Sequence, residues 1–108
     1  MSYLFLALHY PKPEYESDLL AAMRRFDEAL RRAPGLQRIG TWREPESGRI
    51  VGLALWDSQE AFESALQANA AVLDEIQSDV WEERPREVIR GEEIRFSAQP
   101  PPYTVQGS

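Results

Sequence analysis

The 108-residue chain contains no cysteine, which removes disulfides, thiolate nucleophiles, zinc ribbons and iron–sulfur clusters together. Histidine is almost as scarce. With His9 the only one, a histidine metal site or a Ser/His/Asp triad would rest on a single imidazole, and no metal is expected. Positive charge is also short: 12 Lys and Arg stand against 18 Asp and Glu, a formal net charge of −6. A chain of that balance is not expected to bind nucleic acid non-specifically or to dock on an anionic membrane. No apolar run reaches membrane-spanning length. The stretch ending at Tyr10 is closed by Pro11 and Pro13 and follows no basic region, so it reads as a strand rather than a signal, and the cytoplasm is the expected location. Hydrophobic residues at 43% and charged residues at 28% are ordinary values for one globular domain.

Two segments stand out, Tyr3 to Tyr10 (YLFLALHY) and Ile50 to Trp56 (IVGLALW), because both are apolar on both faces. A strand with one solvated face should alternate. These do not, so the face away from the helices needs a second subunit or a ligand to cover it. Leu4, Leu6 and Leu8 form the more uniformly apolar face and are expected under the helices. That assignment puts Tyr3, Phe5, Ala7 and His9 at a dimer interface, with His9 as a hydrogen-bonded interface residue.

Between about Glu14 and Arg32, Leu19, Met23, Phe26 and Leu30 recur at helical spacing and predict an amphipathic helix stopped by Pro34 and Gly35. Its outer face is expected to carry solvated Asp27/Arg31 and Glu28/Arg32 pairs. Leu36 to Glu44 reads as a second strand, Pro45 to Gly48 as a hairpin turn, and Arg49 to Trp56 as the third strand. Asp57 or Ser58 is placed to cap a second helix presenting Phe62, Ala65, Leu66 and Asn69 on one face, followed by a helical piece with Leu73, Ile76 and Val80 inward. After Pro85 a fourth strand is expected from about Glu87 to Phe96, with a bulge at Gly91. The order βαββαβ predicts an α+β ferredoxin-like sandwich, an antiparallel sheet with both helices on one face. Residues 1–96 would form that domain and 97–108 a Pro-rich tail. The run Pro100 to Tyr103 is a weak match to a WW-domain ligand, and Tyr103 is expected instead to pack on the folded body.

Trp56-Asp57-Ser58-Gln59-Glu60-Ala61-Phe62 resembles the W-[DE]-S-x-E-A-[FLY] passage of the antibiotic biosynthesis monooxygenase-like domains, within the dimeric α+β barrel superfamily. The resemblance spans roughly residues 3 to 96. It implies a homodimer of two ferredoxin-like subunits packed sheet to sheet. Some members oxidise quinol-like aromatic compounds without metal or flavin, the substrate anion itself reducing dioxygen, and others degrade haem. Oxidising members tend to carry an Asn four residues before the Trp and a hydroxyl-bearing aromatic in the helix, where this chain has Gly52 and Phe62. At the positions of the family's helix histidines it has Ala65 and Ala70. Neither haem nor any other cofactor is therefore expected.

Gly52 and Ala54 share a strand face with Trp56, and their small side chains leave room for a flat ligand between sheet and helices. The expected ligand-binding residues are Trp56, Gly52, Phe62, Leu66 and Asn69, with Trp56, His9 and Arg38 the candidates for catalytic contact. For Trp56, pocket lining and plain core packing with a satisfied N–H both stay open. Trp42 and Trp81 read as packing residues, and Glu82 and Glu83 as solvated carboxylates. Two functions follow: a cofactor-independent oxygenase acting on a small hydrophobic aromatic compound, or a non-catalytic ligand-binding or structural dimer of the same fold.

Overall fold

A computed structural model describes residues 1–96. The tail, and with it the expected packing of Tyr103, lies outside the described residues. Four strands, β1 (Tyr3–His9), β2 (Leu36–Arg43), β3 (Ile50–Trp56) and β4 (Glu87–Glu92), form one antiparallel sheet in the order β2-β3-β1-β4. Helices α1 (Glu16–Leu30) and α2 (Gln59–Ala68) connect them, and two single turns, α3 (Ala70–Leu73) and α4 (Ser78–Trp81), lead to β4. This is the ferredoxin-like α+β sandwich expected from the pattern.

Local chemistry sets the element ends. A 3₁₀ turn over Pro13–Tyr15 delivers the chain into α1. At the far end, Gly35 adopts a φ of 85°, and any Cβ there would lie 2.6 Å from the Cβ of Ala61, so α1 can turn close beside α2 only through a glycine. Ser58 is the cap of α2, its hydroxyl accepting the Ala61 N–H at 3.1 Å. Asp57 instead accepts a hydrogen bond from the Gln37 side-chain amide.

The helices cover the face bearing Tyr3, Ala7, Ile50, Ala54 and Trp56, all buried. One core cluster joins Tyr3, Leu30, Ala54, Trp56, Phe62 and Ala65; a second joins Leu19, Met23 and Ile50, with Trp81 against it. Leu4, Leu6 and Leu8 point the other way and are half-buried, pairing across the sheet with Leu55, Leu53 and Val51. The face assignment of β1 drawn from the leucines is thus reversed. Leucine packs equally well against helices or against an opposing sheet, so hydrophobicity alone did not identify the covered side.

Three smaller expectations change. The β1/β4 register is continuous from Tyr3 opposite Glu92 to Leu8 opposite Glu87, so Gly91 forms no bulge; the irregularity lies in β2, between Leu36 and Arg38. β4 ends at Glu92, short of the expected Phe96, although the Glu93 N–H still donates to the Ser2 carbonyl at 2.8 Å. Val80, expected inward, is 47% exposed, since the short α4 turn directs Trp81 to the core instead.

Candidate functional site

Between the sheet and α1 lies a cavity of about 50 Å³ whose mouth opens to solvent. The sheet contributes Phe5, Ala7 and His9 from β1, Ile39 and Gly40 from β2, and Gly52 and Ala54 from β3. Met23, Phe26 and Asp27 of α1 form the opposite wall, and Leu73, Ile76 and Arg86 close the end nearest α3 and β4. The space exists because Gly52 of β3 stands opposite Ala7 of β1, with the small Ala54 opposite Phe5. A Cβ built on Gly52 would meet only the terminal methyl of Met23, at 3.0 Å. Methionine is flexible and polarizable, so this wall can yield to a ligand.

Phe5 is shared between the cavity and an aromatic cluster. Its ring stacks on Phe62 with centroids 4.9 Å apart, while Tyr3 and Trp56 approach the same ring at 5.4 and 6.0 Å. The Arg90 guanidinium lies 5.1 Å from the Phe62 centroid.

Three polar side chains reach the lining. His9 is only 3% exposed, and its Nδ1 is 2.9 Å from Oε2 of Glu82, itself 5% exposed. The other carboxylate oxygen of Glu82 accepts the Tyr10 N–H at 2.9 Å. Two corrections follow. His9 belongs to the covered face and not to the open one, and Glu82 is not a solvated carboxylate. Backbone pairing explains both: Lys12 N–H donates to the Trp81 carbonyl and Glu83 N–H to the Tyr10 carbonyl, each at 2.8 Å, around a bridge between Pro11 and Glu82. That bridge turns the Glu82 side chain inward beside His9, 73 residues away in sequence.

Asp27 is the second. It is half-buried rather than solvated, and burial raises its carboxyl above the ordinary value, against a Thr41 hydroxyl that donates to it at 3.4 Å and the nearby Arg31 charge, both of which lower it. Glu28 pairs with Arg24 rather than Arg32. Arg86 is the third.

The residues singled out in the sequence divide. Gly52 and His9 line the cavity. Trp56 lies fully buried in the aromatic core, and its Nε1 is the only buried side-chain polar atom without a hydrogen-bond partner among the described residues, contrary to the satisfied N–H expected. Phe62 and Leu66 pack in that same core, and Asn69 caps α2, its side-chain amide donating to the Ala65 carbonyl at 2.8 Å. Arg38 sits on the open sheet face, opposite Leu55, with its guanidinium 5.8 Å from the Trp42 ring. Met23, Phe26, Ile39 and Phe5 were missed as lining residues because they carry only packing signals. Glu82 was missed because its partner is distant in sequence. Among the described residues no group of three His, Asp or Glu could hold a metal ion, and no helix is long and apolar enough to cross a membrane.

A sheet of this topology with an apolar cavity under its helices defines a ferredoxin-like α+β protein with a small apolar site. The chain belongs to the antibiotic biosynthesis monooxygenase family, whose sequence model matches residues 3–72. No curated protein matches the sequence. Among solved structures, Rv0793 from Mycobacterium tuberculosis superposes with a TM-score of 0.78 at 16% identity, covering 91% of this chain and 100% of its own. A conserved protein from Methanosarcina mazei gives 0.78 at 11% identity, over 87% and 94% of the two chains. SnoaB, a cofactor-independent oxygenase from Streptomyces nogalater, gives 0.72 at 16% identity, over 91% and 98%. At such identities these likenesses establish the fold alone.

Proposed function

We propose that this chain is a homodimeric, cofactor-independent oxygenase that takes a small hydrophobic aromatic compound bearing an ionisable hydroxyl into the cavity between α1 and the sheet. The observation that carries this reading is the cavity itself, apolar along Phe5, Met23, Phe26 and Ile39 and polar at His9, Asp27 and Arg86. Such a lining favours a flat apolar body with one polar end. Family membership and the likeness to the oxygenase SnoaB supply the type of reaction. The substrate anion would transfer electrons to dioxygen directly, and the protein would position the ring, exclude water and stabilise the anion.

The dimer is part of the proposal. Leu4, Leu6, Leu8, Val51, Leu53 and Leu55 form a continuous apolar field on the open face, with Trp42 and Ile89 exposed at 43% and 48%. Packing this face on its copy would remove it from water and complete a dimeric barrel. The working unit would be a domain of residues 1–96, in the cytoplasm.

One observation favours a second reading, a ligand-binding dimer without catalysis. The enclosed space, about 50 Å³, is smaller than a benzene-sized cavity of roughly 150 Å³, so a ring must also occupy the mouth or displace Met23. Dioxygen uptake with menadiol, using dialysed and chelator-treated protein, separates the two. Uptake above the spontaneous rate, proportional to protein and abolished when the cavity is filled, supports the oxygenase. Binding of menadiol without uptake supports the second reading.

A further inference from the structure

We propose that His9 is the catalytic base of this cavity and Glu82 its positioning residue, the two together ionising an aromatic hydroxyl held against His9 Nε2. The inference rests on the cavity being an aromatic-ligand site and adds the group that generates the anion there.

The geometry makes one nitrogen a donor and the other a base. Glu82 offers only acceptor oxygens when ionised; one takes the Tyr10 N–H and the other faces His9 Nδ1, each at 2.9 Å. Nδ1 therefore carries the proton in the neutral ring, and Nε2 carries the lone pair. Among the described residues the His9 ring is hydrogen-bonded through Nδ1, to Glu82. His9 lines the cavity, and Nε2 is the ring nitrogen that Glu82 leaves to meet a ligand there. Ala7 and Gly52, paired across the sheet and lining the same cavity, project no more than a methyl group.

A purely structural role does not explain the arrangement. Burying a carboxylate beside an imidazole carries a desolvation penalty, and apolar side chains of similar shape would pack as well or better. Here the chain's one histidine is placed in that position, with the backbone paired on both sides of Pro11 and Glu82 to hold it. In the step assigned, the O–H bond of the bound hydroxyl breaks, its proton passes to Nε2 and the electron pair stays on oxygen. The imidazolium so formed is stabilised by the Glu82 carboxylate, and no oxidant takes part.

The single histidine makes the test direct, because imidazole ¹⁵N NMR reports His9 alone. Free protein should show the Nδ1–H tautomer. With 4-nitrophenol as the probe, buffered below its own pKa, the bound fraction should display the phenolate absorption while His9 becomes doubly protonated. In Glu82→Gln the amide oxygen is retained by the Tyr10 N–H, so the NH₂ faces Nδ1 and the proton moves to Nε2. That variant should bind the probe but ionise it about tenfold less or weaker still. His9→Gln should bind it as the neutral phenol. Circular dichroism checks that each variant folds, and if His9→Gln does not, Glu82→Gln and the wild-type spectra decide alone. Probe bound in neutral form by wild type, or ionised equally by Glu82→Gln, overturns the base assignment and leaves the aromatic site standing. Failure of wild type to bind the probe overturns both.

Discussion

Replacing Leu6 by Glu separates the open sheet face from the core. Leu6 lies at the middle of β1, opposite Leu53 on one side and Ile89 on the other. It is half-buried in the single chain, so a carboxylate there stays wetted and the subunit should fold. In the proposed dimer, sheet-to-sheet packing would enclose the same position, and two-fold symmetry would place two such carboxylates in one interface. Because Leu6 is already partly covered, its lost burial amounts to about 1 kcal/mol per subunit, or about 2 kcal/mol per dimer. Enclosing two unpaired carboxylates adds several more, for a total of about 5 kcal/mol. The dimer constant should weaken about 10³- to 10⁴-fold. Sedimentation equilibrium over a concentration series reads this, with a thermal melt as the folding control. Wild-type protein that stays monomeric at micromolar concentration would refute the dimer, and an unchanged constant in Leu6→Glu would place the interface on another surface.

Gly52→Val should cost no more than about 1–2 kcal/mol of stability, because its first contact is the mobile end of Met23, yet it should abolish menadiol-dependent dioxygen uptake by filling the cavity. Trp56→Ala should destabilise by about 3–5 kcal/mol in denaturant titration, whereas Trp56→Phe should cost far less, since it also removes the unpartnered buried N–H. Asp27, raised by burial, holds its proton more firmly folded than unfolded, so it subtracts stability as pH rises through and above the ordinary carboxylate range. Asp27→Asn should therefore gain stability relative to wild type at neutral pH and lose that advantage in acid; melts showing the same difference at both would contradict the assignment.

The topology was legible because each of its parts is local. Helical spacing of Leu19, Met23, Phe26 and Leu30, the Ser58 cap and the Gly48 turn are read within a few residues of chain, and all appear in the fold. The two-faced strands also marked a sheet with apolar residues on both sides, and Leu4, Leu6 and Leu8 do lie on the face away from the helices. What could not be read was which face is which, since Leu4, Leu6 and Leu8 satisfy either environment. Gly52 was legible as an absence of side chain, and the space beside it is there. Trp56, the sharpest motif residue, proved to be core, because a motif records where β3 enters α2 and not where the cavity opens. Glu82 was illegible for a topological reason. Only the pairing of the chain after His9 with the chain before β4 brings it to the imidazole, and no spacing rule links the two.

The central claim, that the cavity between α1 and the sheet is the functional site, is tested most directly by a crystal structure of the protein with 4-nitrophenol. The account predicts the ring between Met23 and Gly52, reaching into the mouth, with its oxygen on His9 Nε2 and Met23 displaced. A ring seated on the leucine face of the sheet, or a cavity left closed by Met23 at saturating probe, would contradict it.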